Sequence, residues 1–305
     1  MNVKLNGVLA KGLQQRLQSE GEVISEVEYD LVLTSSFETI HTAKSKLVFV
    51  GHSPIPASLV DALGYKLVEG IPTLVAFRWF DSGSSDGWNS QTILGAPLAT
   101  LMNDDLGLRC EMGMICRYGS SSCIDGLFNS NLLVNTLREM SYCGFISFSL
   151  GINPKSEVKM EVRSVAFGVP YFGIFNALEG VKGRMVEFFS GSVPVLLESW
   201  TTSLALSRSP FPYEMVGTKT HVGGVSPEVE RHLTLLDSVR VKGSTFVTSG
   251  TLVGVSSAWA HEMSESVRRA VRTLRGVELP DKQYRTDGVS IAATSFHLAE
   301  DHGLI

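Results

Sequence analysis

A mixed α/β (α+β) fold is predicted by three observations. Residues 1–64 alternate short apolar runs with helical patterns, as the strands and helices of a small parallel sheet do. The block from Tyr65 is rich in strand patterns, and within it GFISFSLGI and EVKMEVRSVAFG alternate apolar with polar at period two, the mark of half-buried strands. A helical pattern rich in arginine comes late, at about 261–275, behind a further strand-rich stretch. Of the 305 residues, 44% are hydrophobic, enough for a sizeable core in one large domain or two to three small ones. Only 19% are charged, which argues against a disordered chain.

Taken in order, NGVLAKGLQQRLQSEG sets Val8, Leu9, Leu13 and Leu17 near helical spacing. DLVLTS (30–35) and KLVFVG (46–51) are short buried strands ending at small or turn-forming residues. SPIPASLVDALG is a proline turn and then a helix, capped by Ser58 and ended by Gly64. YKLVEGIPTLVAFRWF makes two strands, and DSGSSDG after it is a loop by composition. LRCEMGMICRYG is irregular and strand-like. Residues 129–142 form one amphipathic helix with Leu132, Leu133, Thr136, Leu137 and Met140 on a shared face.

GFISFSLGI and EVKMEVRSVAFG are two further strands, and RMVEFFSGS after Gly183 is a short helix. VPVLLESWTTSLALS is extended or mixed, SRSPFPYEM is a proline-rich turn, and strands dominate from Leu233 to the helix at 261–275. The tail 290–305, with His297 and His302, carries little signal.

Composition bounds function. Lys and Arg number 26 against 31 Asp and Glu, a net charge of −5, so general nucleic-acid binding is not expected, although local basic patches stay open. Cys110, Cys116, Cys123 and Cys143 form no C-x-x-C pair and read as reduced, partly buried thiols. The opening MNVKLNGVLAKGLQQRL has no uninterrupted apolar run of a signal peptide, and no run of about 18 apolar residues offers a membrane span. A cytoplasmic protein without membrane contact is expected.

Generic catalytic motifs are missing. VTSGTLVGV holds glycines but neither phosphate-binding pattern. His261-Glu262 is followed by Glu265 where a zinc helix would carry its second histidine, and the seven histidines show no ligand spacing. GFISFSLG lacks the nucleophile elbow. Asp104-Asp105 suits a cation or a substrate amine, or a turn. Glu161 shares a strand face with Lys159 and Arg163, as cross-strand ion pairs or as a ledge facing a ligand. In the helix at 261–275, Arg268, Arg272 and Arg275 form a stripe, with Glu265 placed to pair with Arg268. A solvated face is expected there rather than a phosphate contact.

A set of blocks in register resembles phosphoribosylamine–glycine ligase, a member of the ATP-grasp superfamily. VTSGTLVGVSS (247–257), a helix and YRTDGV (284–289) resemble that family's ending, V-T-S-G-G-R-V-L-G-V-T, a helix and Y-R-x-D-I-G. LALSRSPFPYEMVG (204–217) is similar to its V-L-A-S-x-G-Y-P-x-x-Y-x-x-G, and DLGLRCEMGMICRY (105–118) to D-x-G-P-N-T-G-G-M-G-A-Y. GFISFSLGI resembles G-x-L-Y-x-G-L, MEVRSVAFGVP (160–170) the metal-binding L-E-F-N-x-R-F-G-D-P, and YKLVEGIPTLVAFRWFDSG the E-E-F-L block.

The resemblance implies a reduced ATP-grasp-like ligase fold with a truncated N-terminal Rossmann-like part, no ATP lid subdomain and a β-rich C-terminal domain. The expected boundaries are 1–64, 65–190 for the remnant core, 191–289 for the C-terminal domain, and 290–305 for a tail. It carries Glu161 over as metal ligand, and Asp105, Gly113, Arg117 and Arg163 as substrate-binding residues, with a cleft between 105–118 and 144–168.

The departures point the other way. No lysine–glycine lid fits between SPIPASLVDALG and YKLVEG, which removes the cation that phosphoryl chemistry relies on. The family's Glu-x-Asn is Glu161-x-Arg163, and arginine repels a metal ion; Val169 and Ala166 replace an Asp and an Arg. The expectation is therefore a non-catalytic relative of the ligase, retained for binding or assembly, with no cofactor and with no catalytic residue assigned. The alternatives are an ATP-dependent carboxylate–amine ligase that uses Mg-ATP, and a structural subunit of a larger assembly, for which Trp79, Phe80 and Trp88 would be exposed aromatics. The partner would be another protein or a second copy, and the setting the host cytoplasm if the source is a phage.

Overall fold

The computed structural model describes residues 2–6, 23–24, 31–34, 46–49, 52–70, 72–88, 91–103, 108–119, 121–153, 155, 160–182, 195–196, 199–243 and 245–305, with side chains for all but 2–49, 100–109 and 181–196. Four strands open it: β1 (Asn2–Asn6), β2 (Val23–Ile24), β3 (Leu31–Thr34) and β4 (Lys46–Phe49). They lie parallel in the order β2-β1-β3-β4, as the alternation of strand and helix patterns predicts. The helix expected over Val8 to Leu17 lies outside the described residues.

β5 (His52–Pro54) leads into α1 (Ala57–Ala62). Pro56, not Ser58, holds the N-cap position, and no side chain caps this helix. Ser58 already sits inside the first turn, because proline supplies the preset φ at the entrance. Gly64, at φ +82°, closes the end as expected. Eleven residues, 63–73, separate α1 from the next strand; among them Leu67 bridges Val162, and the Tyr65 hydroxyl donates to the Leu127 carbonyl.

β6 (Leu74–Asp81), β7 (Ile93–Asn103) and β8 (Leu108–Tyr118) form an antiparallel meander. Two helices follow, α2 (Ser122–Phe128) and α3 (Asn131–Glu139), then the hairpin of β9 (Cys143–Ile152) and β10 (Met160–Gly168). α4 (Tyr171–Glu179) precedes the short pair β11 (Val181–Lys182) and β12 (Val195–Leu196). β13 (Trp200–Arg208), β14 (Val216–Val222), α5 (Pro227–Glu230), β15 (Leu233–Leu235), β16 (Ser238–Lys242), β17 (Thr245–Gly250) and β18 (Leu252–Ala260) come next. The chain closes with α6 (Met263–Gly276), β19 (Lys282–Gln283) and α7 (Gly288–Asp301).

One sheet joins most of these strands in the order β15-β18-β13-β8-β7-β6-β9-β4-β3-β1-β2, with β10 also on β9, β5 on β10 and β19 on β13. The antiparallel part meets the parallel part where Phe49 pairs with Gly144. Period-two alternation loads both faces. One face carries Ala76, Phe80, Ile115, Ile146, Phe148 and Leu204, packed under α2, α3, α6 and α7 through Phe128, Leu137, Ala270 and Phe296. The other carries Val75, Phe77, Trp79, Met114, Phe145 and Ala205, packed under α4 through Phe172 and Ile174. Each large side chain buried this way contributes roughly 1.5–3 kcal/mol.

Several expectations need correction. LRCEMGMICRYG is strand-like as expected, one strand from Leu108 to Tyr118, and its pairing with β7 shifts register twice, between Met114 and Glu111 and between Arg109 and Leu108. YKLVEG contributes an isolated bridge rather than a strand. The helix expected over 129–142 is present as α3, from Asn131 to Glu139, with Ser130 capping it by accepting from Leu133 N; α2, which Ser121 caps by accepting from Ile124 N, precedes it and was not expected. Leu132, expected on the apolar face with Leu133 and Leu137, is 50% exposed, while those two are buried. Trp79 and Phe80 are fully buried rather than exposed, and Trp88 is half-buried, packed edge-on against Phe80 and Phe128. The expected helix RMVEFFSGS lies outside the described residues. The tail is a docked helix: Ala292, Phe296 and Ala299 of α7 are buried, and the Ser121 hydroxyl donates to the Leu304 carbonyl.

Candidate functional site

On β10, Glu161 pairs with Gly151 of β9, and the register slips between Val162 and Ser164. Arg163 is the extra residue of this bulge. Arg163 stands two residues from Glu161, so alternation sets both on one face, and the bulge brings Ser164 onto that face as well. Arg163 Nη2 lies 2.7 Å from Glu161 Oε2, and Nη1 donates to the Glu69 carbonyl. Asn153 Nδ2 donates to Glu161 Oε1 at 3.4 Å. Both carboxylate oxygens are thus engaged, and Glu161 and Arg163 side chains are only 13% and 14% exposed.

Glycine makes this packing possible. A Cβ at Gly151 would overlap the guanidinium, and one at Gly70 would stand 2.9 Å from its central carbon. Gly70, at φ +139°, also needs a backbone that side chains disfavour. Beside the pair, Ser147, Ser149, Ser164 and Ala166 alternate along β9 and β10 on the same face, a ledge of small side chains. The same-face reading of Glu161 and Arg163 therefore holds, and the two form an ion pair. Lys159 lies outside the described residues.

Arg117 belongs elsewhere. It pairs with Leu94 and Trp200 across β7 and β13, on the face covered by α6 and α7. Its guanidinium lies 5.1 Å from the Phe296 ring centre and 5.6 Å from that of Trp200, and Nη1 donates to Glu300 Oε1 at 2.9 Å. Arg117 thereby clamps α7 to the sheet. Gly113 is a close-approach position, where any Cβ would overlap the Ser203 carbonyl of β13. Asp105 lies outside the described residues.

The structure brings Glu161 and Arg163 together and does not bring Arg117 to them. β7 and β6 separate β8 from β9 within one sheet, and alternation puts Arg117 and the Glu161–Arg163 pair on opposite faces. Among the described residues, β8 and the β9–β10 hairpin are strands of the same layer and not facing walls of the cleft expected between 105–118 and 144–168.

Sequence reasoning missed Asn153, Glu69 and the two glycines around Arg163. It also missed a second polar group at the end of α4. There Glu179 accepts from the Ser257 hydroxyl at 3.1 Å and faces His232 Nδ1 at 4.0 Å. The carboxylate stands between the two, so Ser257 hands its hydrogen bond to Glu179 rather than to an imidazole, and no nucleophile–base relay results. Nearby, burial raises the Tyr118 phenol and the Cys116 thiol far above their ordinary ranges, which keeps both protonated. All four cysteines are free thiols, as expected.

A divalent cation does not fit the described residues at the ledge. No three His, Cys, Asp or Glu side chains converge among them, and the one carboxylate present is held by a guanidinium. No described helix is long and apolar enough to cross a membrane.

No family model matches the chain, and no curated protein matches it. Solved structures do. Phosphoribosylamine–glycine ligase from Thermotoga maritima superposes with a TM-score of 0.60 at 11% identity, covering 94% of this chain and 100% of that one. The biotin carboxylase domain of a single-chain bacterial carboxylase gives 0.53 at 11% identity, over 100% and 95%. The phosphoribosylaminoimidazole carboxylase ATPase subunit from Aquifex aeolicus gives 0.51 at 10% identity, over 90% and 98%. At such identities the likeness speaks for the fold, and that fold, a mixed α/β architecture around a large antiparallel sheet, is ATP-grasp-like.

Proposed function

We propose that this chain is a non-catalytic relative of phosphoribosylamine–glycine ligase, with the fold retained for binding or assembly. The observation that carries the reading is the Glu161–Arg163 ion pair. Where the ligase motif has an acid and an asparagine, this chain has an acid and a guanidinium that takes the acid's oxygen at 2.7 Å. A divalent cation arriving there would have to displace a partly buried arginine and accept its positive charge as neighbour. The eleven residues 63–73 between α1 and β6 support the same reading, since a lid subdomain would be inserted there.

The rival reading is an ATP-dependent carboxylate–amine ligase, favoured by a superposition that spans the whole of the Thermotoga maritima enzyme. Calorimetric titration of nucleotide-free protein with Mg-ATP separates the two. The non-catalytic reading expects no saturable heat, and expects the same for Glu161→Ala. Saturable binding that needs Mg²⁺ and is lost in Glu161→Ala would overturn it and call for assays with glycine and phosphoribosylamine.

A further inference from the structure

Three buried oxygens under α4 have no hydrogen-bond partner among the described residues: Asn176 Oδ1, the Thr201 hydroxyl and the Tyr118 hydroxyl. Asn176 is 0% and Thr201 1% exposed. Register sets them near one another. β8 and β13 pair Met114 with Ser203 and Cys116 with Thr201. Cross-strand partners share a face, and Met114, Cys116 and Tyr118 all belong to the core that α4 covers. Asn176 Nδ2 stands 3.0 Å from the Met114 carbonyl and 2.8 Å from Ser203 Oγ. Four residues on, a Cβ at Gly180 would overlap the Tyr118 hydroxyl. The Cys116–Thr201 row lies between those two contacts. All three oxygens therefore stand beneath the turn from Asn176 to Gly180.

Each oxygen needs something different. Asn176 Nδ2 faces the Met114 and Phe172 carbonyls, which only accept, so the amide orientation is fixed and Oδ1 is an acceptor in need of a donor. The Tyr118 phenol keeps its proton, because burial, and then neighbouring Cys116 and Glu179, raise it well above the ordinary range. It is a donor in need of an acceptor. The Thr201 hydroxyl serves either way. A group that answers all three carries both a lone pair and a proton to give, and is small and neutral. A metal ion or an ammonium accepts nothing from the phenol, and an anion such as chloride gives nothing to Asn176. Leaving the oxygens dry costs their desolvation in full.

We propose that α4, β8 and β13 enclose a binding site for an ordered water, which donates to Asn176 Oδ1, accepts from the Tyr118 hydroxyl and shares a hydrogen bond with Thr201. About three partners is the usual coordination of an internal water. One partner comes from the helix and one from each strand, so the water fastens the end of α4 to the β8–β13 seam. The hydroxyls beside the site are already engaged. Ser203 Oγ donates to the Phe172 carbonyl at 2.9 Å, and Ser257, which pairs with Ser203 on β18, donates to Glu179. β7 and β6 lie between this site and the ledge on β9 and β10, so its test stands or falls independently of the Mg-ATP titration.

The first test is a high-resolution crystal structure of the full chain, with a rubidium-soaked crystal beside it. A water peak within hydrogen-bond distance of at least two of the three oxygens is expected, with no anomalous signal from rubidium. The second test is urea unfolding of Tyr118→Phe and Thr201→Val. Each near-isosteric variant removes one partner of the water, so each should lower the folding constant about tenfold. The double variant should lose clearly less than the product of the two, because both singles disturb the same water. Dry oxygens predict the opposite sign, since deleting an orphaned hydroxyl stabilises. The proposal is overturned if the density holds no peak, a rubidium ion or a larger molecule. It is equally overturned if the single variants are stabilised or if their losses combine independently. If a variant does not fold, the density of the unaltered chain decides alone.

Discussion

Arg117 and Arg163 show how one residue type serves two ends once its surroundings are known. Both were drawn from the sequence as substrate-binding cations, and each is committed to a neighbour instead. Arg117→Ala removes a cation from two aromatic faces and an ion pair whose acid is 45% exposed. A loss of about 1–3 kcal/mol in urea unfolding is expected, with faster amide exchange in α7. Arg117→Lys should recover only part of it, because the planar guanidinium is what stacks. For Glu161 and Arg163, a double-mutant cycle with alanine should return a coupling of about 1–2 kcal/mol in stability. A cycle near zero would mean the pair does not hold the bulge, and would weaken the argument against a metal at this position. The Glu161–Arg163 proximity was legible from alternation on β10. The partners Asn153 and Glu69 were not, because they come from other turns of the chain that only the fold brings near.

At the scale of elements, α6 shows what a helix pattern can reveal. The sequence places Glu265 to pair with Arg268, and the structure has Arg268 Nε at 2.6 Å from that carboxylate, with Arg269 added at 2.8 Å. Hydrogen bonds from Arg268 and then Arg269 hold the Glu265 carboxyl at about 2. A carboxyl lowered on folding adds stability that is full above its unfolded value, about 4.3, and is lost as pH falls through the folded one. The carboxyl carbon of Glu265 should therefore titrate near 2 by NMR, and Arg268→Ala/Arg269→Ala should return it toward the ordinary range. Arg269 also donates to the Trp259 carbonyl and lies over that ring, a role invisible in the stripe of Arg268, Arg272 and Arg275. Three elements escaped sequence reasoning for physical reasons. β7 carries Gly95 and Pro97, which read as breakers, yet Gly95 is where Met114 and Cys116 cross and Pro97 sits beside a bulge. α4 is buried nearly all round, so it shows no amphipathic period. α7 hides a real stripe, Ala292, Phe296 and Ala299, behind small residues with little contrast.

For the molecule as a whole, the sheet matters more than any boundary drawn along the chain. β13 pairs with β8 from Trp200–Arg117 to Leu204–Gly113, and that seam joins the centre of the chain to its last third. Trp79 and Trp200 lie on opposite faces of the joined sheet. Thermal unfolding followed by tryptophan fluorescence and by far-ultraviolet circular dichroism should give coincident transitions. Two separated transitions would show that the seam does not couple the two halves. The parallel opening, the β9–β10 hairpin, the strand run behind Leu233 and the arginine helix were all readable from sequence. Each rests on a period of two or 3.6 that covalent geometry imposes locally. The resemblance of ordered blocks to a ligase agrees with a fold shared at 11% identity. What a residue meets on its face was settled by packing: two strands lie between β8 and β9, and Asn153 and the Glu69 carbonyl close on the Glu161–Arg163 pair. Register and strand order arise from contacts between segments far apart in the chain, so no local pattern can contain them.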